Sequence, residues 1–261
     1  MAEGRAAGAA PEINELTVAD IGAVLRAGLG DFARAPLFGL FFSAVYVAGG
    51  ILLYLVYAAA GQEWWLAPVA VGFPLLAPFA ATGLYEVSRR LESGRPLAWG
   101  AVLGVVFAQK DRQVPAMAAV ILVVFLFWMF VAHALFALFM GLRAFNAGND
   151  IATLFLTGNG PVMLLVGGAV GAGFALVLFA TTVCGLPMLL DREVDFVTAM
   201  ITSVAVVRAN PGPMLLWAWI VAAALFAAML PLFLGLFVAL PVLGHATWHL
   251  YRRALEAPHP S

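Results

Sequence analysis

The chain has 261 residues, 64% of them hydrophobic and 10% charged, with a formal net charge of -1. Soluble domains carry about a quarter of their residues as charged side chains, so this composition excludes water as the main solvent and points to lipid. The near-zero charge is scattered through short segments and excludes the basic patch that nucleic acid requires, and one cysteine, Cys184, excludes an intrachain disulfide.

Residues 1–16 combine small residues, a proline and the acids Glu3, Glu12 and Glu15, without the apolar core of a signal peptide. They are expected to form a disordered cytoplasmic tail, followed by a single integral membrane domain over 17–255 and a short tail over 256–261. Val18, Ile21, Leu25, Leu29 and Phe32 recur at helical spacing, with Asp20, Arg26, Asp31 and Arg34 around them, which predicts an amphipathic helix lying along the interface. Leu37 to Ala60 carries no charge and is long enough to cross a hydrocarbon core of ~30 Å, which needs about 20 helical residues. Gly61-Gln62-Glu63 breaks the run, Trp64-Trp65 suits an interface, and a second span continues to Tyr85, closing a hairpin.

Glu86, Arg89, Arg90 and Glu92 then stand at i, i+3 and i+4 spacings, the pattern of a solvated helix end laced by ion pairs. Val114 to Leu142 is the third span, and Arg143 to about Gly160 is the one substantial external loop. Pro161 to Leu190 is the fourth span. Its glycine run sets Gly167 and Gly171, and Gly168 and Ala172, four apart, a spacing that lets a neighbouring helix approach closely. That neighbour belongs either to the same bundle or to a second copy or another membrane protein. Met214 to Leu250 is free of formal charge but broken by Pro231, Gly235 and Pro241.

All Lys and Arg residues except Arg143 fall in the amino-terminal region, in Glu86 to Arg112, in Asp191 to Arg208, or at Arg252 and Arg253. Basic residues of short loops are retained in the cytoplasm, so all four segments face that side. A single crossing over Met214 to Leu250 would put Arg252 and Arg253 outside, so two short crossings are expected. The fold expectation is therefore an all-α polytopic bundle of about six spans with both termini cytoplasmic. Its high Ala, Gly, Leu and Val content suggests a bacterial inner membrane.

An order of features recurs three times. Amphipathic stretches over Val18–Pro36, Leu97–Pro115 and Phe196–Pro211 each end in a basic residue and a proline that starts an apolar span. Each returning span carries a proline before apolar residues, at Pro74, Pro187 and Pro241, and leaves through charged residues. The chain reads as three units of surface helix, outward span and returning span, although the unequal spacings suit shared topology as well as duplication.

Ionisable residues inside a membrane mark the places where chemistry would sit. His245 and His249 lie four apart on one helical face, a spacing able to hold a metal or haem, with Glu86 as candidate third ligand. The alternative puts both near the headgroups with Trp248 and Tyr251 as interfacial anchors. His133 falls about 27 Å along its helix from Pro115, where it suits a polar contact to a neighbouring helix or a substrate path. No nucleophile elbow, phosphate-binding loop or His-Glu-x-x-His motif occurs.

The stretches RAGLGDFARAP (Arg26–Pro36), GFPLLAPFAATGLYEVSRRLESG (Gly72–Gly94) and LPVLGHATWHLYRR (Leu240–Arg253) resemble a proteobacterial family of predicted integral membrane proteins of unknown function. Its members are sometimes labelled cytochrome c oxidase subunit I. The resemblance implies an inner-membrane helical protein and supplies no activity. The oxidase role needs histidines for two haems and a copper, more than this chain's four provide. The expectation is a non-catalytic membrane or assembly factor with no assigned cofactor, its partners being the bilayer and another membrane protein or a second copy. A small-molecule transporter or channel is the alternative, and a haem- or metal-binding subunit the second.

Overall fold

The computed structural model describes residues 12–60, 66–141 and 156–255. Helix α1 (Val18–Arg34) begins with a capping box: the Thr17 backbone N–H donates to Asp20 Oδ2 at 2.9 Å, and the Asp20 N–H donates to Thr17 Oγ1 at 3.3 Å. The two donors satisfied there are among those that a helix start otherwise leaves open. Pro36 then opens α2 (Pro36–Ala60), whose partner in the hairpin is α3 (Leu66–Glu92).

The same order follows twice more. In the second unit, α4 (Trp99–Ala108) and the short 3-10 turn Gln109–Asp111 lead into α5 (Val114–Met140), and α6 (Gly160–Thr182) returns. After a break it continues as α7 (Gly185–Asp191). The break falls at Val183 and Cys184 because Pro187 lacks an N–H and its ring clashes with the carbonyl four residues earlier. Cys184 N–H instead donates to Ser203 Oγ at 3.1 Å. In the third unit, α8 (Phe196–Ala209), capped by Asp195, precedes α9 (Pro211–Met229) and α10 (Leu236–Leu255). The stretch from Met214 to Leu250 is thus two helices, joined through Leu232 and Phe233, both at positive φ.

Four described stretches are long and apolar enough to cross a membrane: Pro36–Val56, Val114–Met140, Gly160–Asp191 and Pro211–Met229. The six-span expectation counts two more, α3 and α10. These have spanning lengths of 27 and 20 residues, but their last turns carry Arg89 and Arg90, and Arg252 and Arg253. Both returning helices end among the most buried residues of the chain. The main core gathers Ile21 and Val24 of α1, Met117 at the start of α5, Met188 of α7, Trp217 at the start of α9, and Trp248 and Tyr251 of α10. It therefore lies at one end of the bundle, the end where charges collect, while α5 and α6 extend away with most of their surface exposed.

The expected tail divides. Residues 1–11 lie outside the described residues, but Asn14 and Leu16 are bound to the bundle. The Asn14 N–H donates to the Ala254 carbonyl at 2.9 Å, its side-chain amide to the Arg253 carbonyl at 2.8 Å, and the Leu16 N–H to Asn210 Oδ1 at 2.7 Å. The folded body so begins before residue 17. The expected external loop and tail over 256–261 fall mostly and wholly outside the described residues, as does the Trp64-Trp65 pair.

Candidate functional site

The polar residues converge where α1, α3, α7 and α10 meet. The approach of α1 to α10 depends on Gly28: a Cβ there would stand 2.6 Å from the Val242 carbonyl oxygen and 2.7 Å from the Ala246 nitrogen. At this crossing Asp31 of α1 is buried, and His249 Nε2 lies 2.7 Å from its Oδ2. Ser88 of α3 lies beside this pair, and its Oγ is 2.8 Å from His245 Nδ1. The His245 ring is fully buried, and its Nε2 has no partner among the described residues. Burial, the largest single influence on Asp31, pushes its carboxyl up. Hydrogen bonds from His249 and Ser88, with the charges of both histidines, outweigh it and hold the group below the usual carboxylate range.

A second layer surrounds Glu86, which is 0% exposed. Arg89 Nε donates to its Oε2 at 2.8 Å and Arg90 Nε to its Oε1 at 2.7 Å. The same guanidiniums reach other backbone carbonyls: Arg89 that of Leu190 in the last turn of α7 at 3.4 Å, and Arg90 those of Pro96, before α4, and Ala101, in its first turn, at 3.2 and 3.4 Å. The Leu190 carbonyl is one that a helix C-terminus leaves open, and such carbonyls attract cations, so the Arg89 contact satisfies both charge and hydrogen bonding.

The third layer ties the last turns together. Arg252 lies 3.2 Å from Glu92 and 3.5 Å from Asp191. The Tyr251 hydroxyl donates to Asp191 at 2.9 Å, Trp248 Nε1 donates to Glu92 at 3.2 Å, and Arg192 donates to the Leu255 carbonyl at 2.8 Å. Arg253 pairs with Asp20. The three returning helices are thereby laced into one knot.

This geometry revises several sequence expectations. Glu86 is no solvated helix end, because it is fully buried and both of its oxygens are bound by Arg89 and Arg90. Those histidines share a helix face but bond different partners, Ser88 and Asp31. Among the described residues no three His, Cys, Asp or Glu side chains converge as metal ligands, so the donors do not form the proposed three-ligand set. Trp248 and Tyr251, expected as interfacial anchors, are fully buried. His133 is exposed, and its Nδ1 lies 2.7 Å from the carbonyl oxygen of Met129 on its own helix, not on a neighbour.

Of Gly167, Gly168, Gly171 and Gly173 on α6, Gly171 alone meets a neighbouring helix: a Cβ there would lie 3.3 Å from Trp128 Nε1. At Gly167 and Gly168 nothing comes within 4 Å, and Ala172 is exposed. Between α5 and α6 runs an open groove of about 200 Å3, lined by Trp128, Ala132, Phe136, Met163, Gly167 and Gly168.

Asp31 and Ser88 were missed as members of the site. The signal for Asp31 was its register: Ile21, Val24, Gly28 and Asp31 are the buried residues of α1, so a carboxylate continues the inward stripe at helical spacing. The three stretches Arg26–Pro36, Gly72–Gly94 and Leu240–Arg253 supply most of the knot.

Residues 66–191 match the model of a family described as "Predicted integral membrane protein (DUF2189)". No curated protein matches the chain, and no solved structure matches it.

Proposed function

Taking residues 66–191 as part of an integral membrane protein family of unknown function, we propose that the chain is a non-catalytic accessory or assembly factor that engages another membrane protein. Its setting in this reading is a bacterial inner membrane, with both termini and the charged knot cytoplasmic, in agreement with the distribution of Lys and Arg. The observation that carries the reading is the division of labour between the two ends. Polar groups at the knot are turned to one another and to helix-end carbonyls, whereas the α5–α6 hairpin offers an apolar groove floored by Gly167 and Gly168.

Small residues at an open helix face permit close approach by another helix, where dispersion and weak polar contacts drive association within lipid. A transport path would instead need ionisable or polar side chains lining a cavity at membrane depth. His133 does not line this groove.

The test is native purification in mild detergent with identification of co-purifying chains, comparing wild type with a Gly167→Leu/Gly168→Leu variant. The expected outcome is a defined membrane partner whose recovery falls at least tenfold in the variant. Substrate flux in proteoliposomes of the purified chain alone would overturn the proposal in favour of transport. Cysteine labelling at residue 110, where the lysine side chain is 69% exposed, checks orientation, the expected outcome being no reaction with an impermeant reagent added outside and reaction once the membrane is opened.

A further inference from the structure

At the charged end, Arg89, Glu92, Ser93, Arg95, Asp191 and Arg252 line an open basin of about 380 Å3. Its two carboxylates are already engaged. Arg252 bridges them, the Trp248 indole donates to Glu92, and the Tyr251 hydroxyl donates to Asp191. Behind the basin, the single Glu86 carboxylate is shared by Arg89 and Arg90. The guanidiniums of Arg89, Arg90, Arg95 and Arg252 are therefore set against only three carboxylates, Glu86, Glu92 and Asp191. The Leu190 carbonyl in the last turn of α7 offsets part of this excess, since a helix C-terminus carries roughly half a negative charge. Arg89 is the residue that reaches it, at 3.4 Å. Arg95 stands exposed on the rim, in the turn after α3.

A guanidinium fork matches phosphate oxygens in geometry as well as charge. We propose that this basin binds a phosphate-bearing anion, with Arg95 as its main donor and the N–H groups that Glu86 and Leu190 leave unused on the 27% exposed Arg89 side chain beside it. Bound there, the anion balances the excess charge of the knot and fastens the turn after α3 to the ends of α7 and α10. Two sources share this chemistry: the headgroup of an anionic phospholipid, which basic pockets between membrane helices recognise, and a free phosphate.

The experiment measures thermal unfolding of the full chain in a neutral detergent, titrated with phosphatidylglycerol, phosphatidylcholine or inorganic phosphate at constant ionic strength. Phosphatidylglycerol is expected to raise the unfolding midpoint by several degrees, phosphatidylcholine to have little effect, and Arg95→Gln to lose more than half of the response. A response to inorganic phosphate as large as that to phosphatidylglycerol supports the site and assigns its ligand to the soluble pool. Arg208→Gln, an exposed substitution on α8, is expected to respond as wild type. No response to either anion, an undiminished response in Arg95→Gln, or an equal loss in Arg208→Gln would overturn the proposal.

Discussion

Glu86 illustrates how one side chain changes meaning with burial. On a solvated helix, a carboxylate with arginines at i+3 and i+4 contributes little, because exposed pairs are worth about 0–1 kcal/mol. Here it is wholly buried and bidentate, so removing it strands two partly buried cations. Glu86→Ala is expected to destabilise the chain by about 3–5 kcal/mol, the range for breaking a buried pair, read from chemical unfolding in detergent. Asp31 makes a second residue-level prediction. Its pKa is held below 3.8 in the folded chain, so its contribution is complete above the unfolded value and is lost as pH falls through the folded one. The unfolding midpoint should drop on acidification below pH 3.8, and the drop should be smaller in Asp31→Asn.

At the scale of elements, α1 shows what periodicity reads and what it does not. The pattern locates the helix and the proline after it, but of the stripe through Val18, Ile21, Leu25, Leu29 and Phe32 only Ile21 is fully buried. Val18 and Leu29 are 63% and 51% exposed, and the helix is rolled so that Gly28 meets α10. Close backbone approach decided this orientation, and a hydrophobicity pattern has no term for a residue that contributes by lacking a side chain. Gly28→Ala should therefore lower stability by about 1–3 kcal/mol, as overpacking does, whereas Gly30→Ala, with nothing within 4 Å, should not lower it. The strap before α1 is held differently. Asn210 Oδ1 accepts from Leu16 N–H, and Nδ2 donates to the Asn14 carbonyl at 3.1 Å. Asn210→Ala leaves those groups without it, at about 1–3 kcal/mol, and proteolysis near residue 14 should accelerate.

Across the whole molecule, the all-α class, the threefold order of elements and the split of the last apolar stretch were legible, because charge placement and proline positions report on them directly. The site was legible only in part. His245, His249 and Glu86 do lie in the polar end, but their partners Ser88, Asp31, Arg89 and Arg90 are set by how three units meet, and spacing within one helix carries no information about that. Since α10 supplies Trp248, His249, Tyr251 and Arg252 to every layer but the Glu86 pair, a chain ending at residue 230 should lose the knot. It is expected to accumulate to much lower steady-state levels than full-length protein, measured by immunoblotting of isolated membranes.

The lacing of the returning helices also bears on biogenesis. Glu92 waits for Trp248, 156 residues later, and Asp31 for His249, 218 residues later. During synthesis the first hairpins therefore enter the bilayer with carboxylates whose partners have yet to be translated. The last hairpin acts as a completion signal: until it arrives, those acids must be kept hydrated at the membrane edge, and a stalled or shortened nascent chain would display them to quality-control proteases.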